Sequence, residues 1–382
     1  MGSVLNAVER LVAAEIGRGL ESGVQLSVSC GGRSAELAAG ENGLGHPMTP
    51  GTAVPWTCSA KTLGALAFAA AWEAGAVGLD TPVARILPEY AGGGRERVRV
   101  RHLLTHTTGV PDPVWAAAAA AGTGPVTPGE ADALVWALIL DAPVRALPGA
   151  AMSYSPVTNW FVLDRLLAEL YGGGPGESHR RLCRRLGLAA DLGLPELPPP
   201  SRAEPIAAPG QETGLARMRL AASLPLPGLG VWGTTRELRR VGEVLLTGTT
   251  AAGEVLLSRA ALEALTTTHW PGTRHRQVSD TDFPYGLGVM TQPLLFGRRC
   301  SARVFGHAGG NTSTLLIDPM FDLVAAVYWN GRLDDVTTFA RRYALVRALY
   351  EDLGLDRLPV PPPTTGTPVP VPAQVSTAGA GR

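Results

Sequence analysis

The strand patterns of this chain sit at its two ends, and that placement limits the folds open to it. Residues 24–29 and 35–39 flank Cys30-Gly31-Gly32 and predict a β-hairpin with a Gly-Gly turn. Residues 286–290, 303–307, 314–318 and 323–329 form a second group of short apolar runs that reads as strands. Between them the spacing predicts helices over 57–74, 130–141, 158–170 and 234–246, with a turn and a short helix over 79–90. Thr57 is the cap candidate for the first of these, and Thr234 or Thr235 for the last. An amphipathic helix through Leu5, Val8, Leu11, Val12 and Ile16 opens the chain, and a helix over 336–353 follows the last strand. Strands so far apart in sequence bury their apolar faces by meeting in one sheet, with the helical middle as an insertion. The reading is an α/β (α+β) fold: residues 1–75 and 228–356 form a discontinuous α/β lobe and 76–227 a helical lobe. A proline-rich excursion spans 192–209, and a disordered Pro/Thr/Gly/Ala tail is expected over 359–382.

The 382 residues, 45% of them hydrophobic, suffice for a sizeable core. With 33 basic and 33 acidic residues, nothing points to nucleic acid or an acidic membrane as a partner. The most apolar stretch, 62–74, is short and interrupted by Gly64 and Glu73, so no membrane span is expected. The amphipathic N-terminal pattern differs from a secretory leader and leads to a cytoplasmic expectation. Cys30, Cys58, Cys183 and Cys300 are too scattered for a metal knuckle or a disulfide framework.

Of the 33 basic residues, Lys61 is the one lysine. Wherever positive charge alone suffices, this chain uses arginine, so the lysine points to a task arginine cannot perform. Arginine keeps its proton, whereas a desolvated lysine can give it up and act as a base. Lys61 closes the string Cys58-Ser59-Ala60-Lys61 at a predicted helix start. At i and i+3 the two side chains share one face, and the helix N-terminus favours a thiolate and offers free N–H groups to an oxyanion. Ser59 is the alternative nucleophile, but it points to a different face.

The surrounding sequence resembles the serine β-lactamase and penicillin-binding protein-like family, particularly its class C and esterase branch. Cys58-Ser59-Ala60-Lys61 matches the family's Ser-x-x-Lys motif, and residues 100–109 (VRHLLTHTTG) resemble the structural segment that follows it. Pro148-Gly149 followed by Tyr154-Ser155-Pro156 is similar to the Tyr-x-Asn element, and Phe305-Gly306-His307-Ala308-Gly309-Gly310 to the Lys-Thr-Gly or His-x-Gly strand. Tyr285-Gly286-Leu287-Gly288 and Asp318-Pro319 match accessory patterns. The resemblance spans roughly 20–350. It implies a β-lactamase-like antiparallel sheet flanked by helices beside a mainly helical lobe. It also implies that Cys58 is the nucleophile, Lys61 its proton acceptor and Tyr154 the acid/base that serves the leaving group. His307 would line the cleft, contacting substrate or hydrogen-bonding Tyr154, and the oxyanion would meet the Cys58 N–H and a strand N–H near Gly309 or Gly310.

Two departures shape the reaction. Cysteine replaces the family's serine, and Pro156 stands where many members carry asparagine; Asn159 lies one turn too far to replace it. An acyl-cysteine is a thioester, slow toward water and fast toward amines, so the expected reaction is acyl transfer from an ester or thioester donor to an amine in specialised-metabolite biosynthesis. Hydrolysis of an ester or amide by the same residues is the competing reading, and an inactive binding protein the third. No cofactor or metal is implied. His102 and His106 have the spacing of a zinc pair but lack a third ligand. Cys30, Cys183 and Cys300 read as structural, and Trp160, Trp232, Trp270 and Trp329 mainly as core.

Overall fold

The computed structural model describes residues 5–114, 128–223, 225–272 and 283–355. Five strands form one antiparallel sheet in the order β2-β1-β9-β8-β7. They are β1 (Gly23–Cys30), β2 (Arg33–Gly40), β7 (Phe305–Gly309), β8 (Ser313–Asp318) and β9 (Leu323–Trp329). The two ends of the chain therefore meet where β1 pairs with β9, with Val24 opposite Trp329 and Cys30 opposite Leu323.

The central strand shows why the pattern is apolar throughout. Every residue of β9 is buried. Leu323, Ala325, Val327 and Trp329 face helices α1 (Asn6–Gly17) and α11 (Asp335–Asp352), within one apolar cluster that includes Val8, Val12, Val346 and Leu349. The alternate residues Val324, Ala326 and Tyr328 join a second cluster with Leu238, Val241 and Val244 of α9 (Thr235–Thr247). A strand covered by helices on both faces loses the polar alternation of a half-exposed one. In β1 the face toward α9 is polar but satisfied: Gln25 Oε1 accepts the Thr235 N–H at 2.6 Å, and Arg239 Nε donates to Ser27 Oγ at 2.9 Å.

The helical part packs on α2 (Lys61–Glu73), a helix buried along nearly its whole length. Around it lie α3 (Val83–Ile86), α4 (Val100–Leu104), α5 (Pro128–Asp141), α6 (Thr158–Tyr171) and α7 (Glu177–Leu186). Two further helices are α8 (Glu212–Ser223) and α10 (Arg259–Thr266). Three short strands, β3 (Val54–Pro55), β6 (Val231–Gly233) and β4 (Asp191–Leu192), form a ribbon that leads into α2. The proline-rich excursion contributes β5 (Ile206–Ala207), which pairs in parallel with β10 (Gly331–Arg332). Among the described residues no helix is long and apolar enough to cross a membrane.

Some local readings are corrected. Residues 286–290 are not a strand: Gly288 has φ +85°, the Gly286 N–H reaches the Val289 carbonyl at 2.8 Å, and the segment folds into a tight loop. Thr57 does not cap α2. Its φ of +46° turns it away, and its hydroxyl bonds to Ser313 instead. Helices α7, α8 and α10 escaped the periodicity; in α7 four arginines surround the buried Leu182, Cys183 and Leu186. The expected tail over 359–382 lies outside the described residues.

The reading of Thr234 as a cap gives a direct test. Its hydroxyl accepts the Glu237 N–H while Glu237 bonds back to the Thr234 N–H at 2.7 Å, a reciprocal capping box. Thr234→Ala is expected to lower unfolding stability by about 1 kcal/mol in urea titrations, whereas an exposed threonine elsewhere would leave the midpoint unchanged.

Candidate active site

The turn that carries Cys58 is built from both halves of the chain. The Trp56 N–H bonds to the Val231 carbonyl at 2.9 Å, a left-handed Thr57 follows, and a short 3₁₀ turn, Thr57–Ala60, runs into α2. Residues 52–57 and 59–61 are all buried, and Cys58 alone among them is partly exposed. Ser313 Oγ of β8 clamps the turn: it donates to the Trp56 carbonyl at 2.5 Å and lies 2.9 Å from Thr57 Oγ1 and from Ser59 Oγ. Ser59 also donates to the His307 carbonyl at 3.2 Å, so its hydroxyl is committed to the sheet. Gly309 of β7 abuts the same turn. A Cβ there would lie 2.3 Å from the Cys58 backbone nitrogen, a separation no side chain can occupy. Gly310 continues into the β7–β8 turn at φ +57°, against Met218 and Thr57.

Lys61 is fully buried. Its Nζ donates to the Pro156 carbonyl and to the Gly228 carbonyl, each at 2.9 Å, and lies 5.4 Å from the Tyr154 ring centroid and 5.9 Å from that of Trp160. Burial holds its pKa below the ordinary lysine value, opposed by the charge of Cys58 and a hydrogen bond to it. A neutral amine has two N–H donors and one lone pair. With both donors on carbonyls, the lone pair is left for the thiol proton; after transfer, the third N–H faces the thiolate. Both protonation states are thus satisfied by the same four atoms. Pro156, which stands where the resemblance implied an asparagine in many members, serves the lysine through its backbone carbonyl. Asn159 is turned elsewhere, 3.4 Å from His106 Nδ1 and 3.5 Å from Thr108 Oγ1.

Tyr154 lies beside Lys61. Its hydroxyl is covered and has Cys58 as its neighbour. Burial, and next the charge of Cys58, push its pKa well above the ordinary tyrosine value, so it holds its proton. The ring packs 4.5 Å from His106 and 6.1 Å from His307, centroid to centroid. The hydrogen bond that His307 was expected to make with Tyr154 goes instead to Tyr285, whose hydroxyl lies 2.9 Å from His307 Nε2. His307 Nδ1 lies 2.9 Å from the Ala308 carbonyl, which can only accept, so Nδ1 carries the ring proton and Nε2 accepts from Tyr285. His307 is itself buried.

Asp112 and Gly228 were not singled out from sequence, and His106 was weighed there only as half of a zinc pair. His106 Nδ1 accepts the Ser155 N–H at 3.0 Å, which fixes the residue next to Tyr154. His102 Nδ1 accepts the Arg99 N–H at 3.1 Å, so the two histidines of the apparent zinc spacing serve different partners. Asp112 gathers the Ser155 hydroxyl (2.7 Å), the N–H groups of Val157 (2.8 Å) and Thr158 (3.1 Å), and the Thr158 hydroxyl (2.9 Å), locking the Tyr154–Pro156 segment to the start of α6. Gly228 supplies the second lysine acceptor at φ +78°, in a turn where a Cβ would strike Trp160. The Pro-Gly composition of that stretch marks a turn but says nothing about which carbonyl faces Lys61.

The family model described as Beta-lactamase matches residues 8–349. A penicillin-binding protein homologue from Caulobacter crescentus superposes with a TM-score of 0.73 at 23% identity, covering 92% of this chain and 98% of that one. EstCE1, described as a hydrolase with promiscuous acyltransferase activity, gives 0.73 at 19% identity, covering 91% and 98%. SurE bound to D-Leu gives 0.68 at 24% identity, covering 99% of this chain and 80% of that one. At these identities the likeness is one of fold. No curated protein matches the chain.

Two of the buried histidines, His106 and His307, make stability depend on pH. Burial, reinforced by the Lys61 charge, keeps both His106 and His307 well below the ordinary histidine value, so the folded protein holds them neutral. The unfolded chain takes up these protons near its ordinary value, binds more protons than the folded state in acid, and is favoured as pH falls. Between pH of about 6.5 and about 5.5 each histidine is expected to remove about 1 kcal/mol of stability. Urea midpoints should fall across that interval, and less steeply in His106→Asn; equal midpoints at both ends would contradict the assignment.

Proposed function

Because the chain belongs to the beta-lactamase family, we propose that it is an enzyme that carries an acyl group on Cys58 and passes it to an amine. The observation that carries this reading is the pairing of one partly exposed thiol with a fully buried amine whose two other contacts are carbonyl oxygens. In the first half, neutral Lys61 takes the Cys58 proton and the thiolate sulfur attacks the carbonyl carbon of an ester or thioester. The oxyanion forms toward the Cys58 N–H and an N–H of the Gly309–Gly310 turn. As the C–O or C–S bond breaks, the departing group takes a proton from the Tyr154 hydroxyl, which Lys61 then re-protonates. In the second half an amine attacks the thioester, its excess proton returns through Tyr154 and Lys61, the C–S bond breaks, and an amide leaves.

The covered Tyr154 hydroxyl beside Cys58 supports its role, since it can give a proton to a group leaving from the acyl carbon on that sulfur and take one from an amine. His307 supports the cleft through Tyr285 and the strand that carries Gly309. Sulfur at the nucleophile favours an amine over water as the acceptor, because a thioester resists hydrolysis and cysteine leaves readily. The promiscuous acyltransferase activity named for EstCE1 accords with transfer on this fold. The D-Leu ligand named for SurE makes an amino-acid-derived substrate a sensible first probe. Such chemistry suits amide formation in specialised metabolism, with a small-molecule donor and a small amine acceptor as the partners.

The test is intact-mass spectrometry with activated esters, with and without added amines. The wild-type protein should gain one acyl mass, and Cys58→Ala none. Lys61→Arg should slow acylation by about 10²–10⁴-fold, since arginine cannot take the proton. Cys58→Ser should shift products from amide toward free acid. Free acid alone from the wild-type protein under every amine would contradict transfer and leave hydrolysis. No adduct under any donor would contradict the enzyme reading itself.

A further inference from the structure

A buried ion pair holds the hairpin opposite Cys58 from behind. The β7–β8 turn passes through Gly310 and Asn311, both left-handed at φ +57° and +61°, and the Thr312 N–H returns to the Gly309 carbonyl at 3.0 Å. The Asn311 carbonyl at the tip accepts Arg341 Nη2 at 3.0 Å. The same guanidinium donates to the Gly331 carbonyl at 3.2 Å and, through Nη1, to Glu21 Oε2 at 2.9 Å. Glu21 is held in turn by the N–H groups of Ser22 (2.8 Å), Gly23 (3.0 Å) and Gly331 (2.7 Å). The Arg341 and Glu21 side chains are 2% and 0% exposed, and the guanidinium lies 4.5 Å from the Trp329 ring centroid. The Asn311 side chain adds bonds to the Leu333 carbonyl at 3.0 Å and to Asp335 Oδ1 at 2.7 Å.

Burying two charges is a poor way to gain stability, since apolar residues of the same volume often do as well or better. What the pair supplies is a fixed distance. A planar guanidinium has several donors in a rigid fork, so a single residue can span Glu21, β10 and the hairpin tip. At the other end of the turn, Gly309 sits against the Cys58 nitrogen and Gly310 against Thr57. An oxyanion donor works only within about 2.7–3.1 Å of the developing charge, so a shift of the turn by a fraction of an ångström matters.

We propose that Arg341, fixed by Glu21, is a positioning residue that sets the distance between the Gly309–Gly310 turn and Cys58 at which a strand N–H meets the oxyanion. The proposal rests on the acyl-Cys58 reading and adds to it a determinant on the opposite side of the hairpin from the substrate.

Two reactions of the same sulfur separate positioning from general damage. Acylation by p-nitrophenyl acetate builds an oxyanion, whereas alkylation by iodoacetamide displaces iodide at a saturated carbon and builds none. In Arg341→Lys, which keeps a positive charge beside Glu21 but loses the fork, acylation should slow by about tenfold or more while alkylation changes by less than about twofold. Hydrogen exchange in residues 305–313 should quicken. Asn311→Gly, which suits the left-handed backbone and removes the two side-chain bonds, should show a smaller change of the same kind and decides the matter if Arg341→Lys does not fold. Unchanged acylation with unchanged exchange overturns the proposal, and so does an equal fall in both reactions. If the wild-type protein takes no acyl group, the functional reading fails by itself, and the proposal stands or falls on the exchange of 305–313.

Discussion

A primary amine shut away from water needs partners for each of its hydrogens, and the architecture around Lys61 is arranged to supply them. One acceptor is the Pro156 carbonyl, held in place by Asp112 and His106; the other is the Gly228 carbonyl, from a turn packed on Trp160. These two carbonyls come from segments far apart in sequence, so the lysine is satisfied only once the helical part and the ribbon leading into α2 have packed together. Burial then weakens its hold on a proton, and Cys58 is the group placed to exchange one with it. The catalytic reading and the folding requirement are thus the same constraint seen twice.

The sheet supplies the other half of the site. Ser313 clamps the turn before α2, Gly309 allows β7 to approach the Cys58 backbone, and Arg341 with Glu21 braces the hairpin tip. Strand β7 lies at the edge of the sheet, where Gly306 bridges to Met290 and Gly309 abuts the Cys58 turn. Preorganised N–H groups stabilise an oxyanion only when they need not move during the reaction. The dense bonding behind the hairpin gives that rigidity, while the partly exposed sulfur keeps the front accessible.

Much of this was legible in the sequence because the relevant signals are local. The strands at either end, the Cys58–Lys61 spacing and the Thr234 cap each depend on a few adjacent residues. The cleft residues Tyr154, His307, Gly309 and Gly310 were placed by the resemblance of ordered motifs. What stayed hidden depends on backbone groups or distant partners. No residue type announces that the Gly228 carbonyl meets Lys61, or that Arg341, one arginine among many, braces a turn 30 residues earlier. The loop over 286–290 read as a strand because its apolar residues face the core, yet Gly288 bends it. His307 pairs with the Tyr285 hydroxyl, where the resemblance implied contact with substrate or a hydrogen bond to Tyr154.

The central claim concerns the proton state of one amine, and this chain offers an unusually direct view of it. Because Lys61 is the one lysine in the sequence, growth on lysine labelled with ¹³C at Cε gives a protein with a single labelled side chain. Its chemical shift followed against pH reports the titration of that amine alone. The account predicts a midpoint clearly below the ordinary lysine value of about 10.4, moving lower still in Cys58→Ala, where the opposing thiolate charge is gone. A midpoint at or above the ordinary value in the wild-type protein would mean that Lys61 remains an ammonium throughout, and would contradict its role as the base for Cys58.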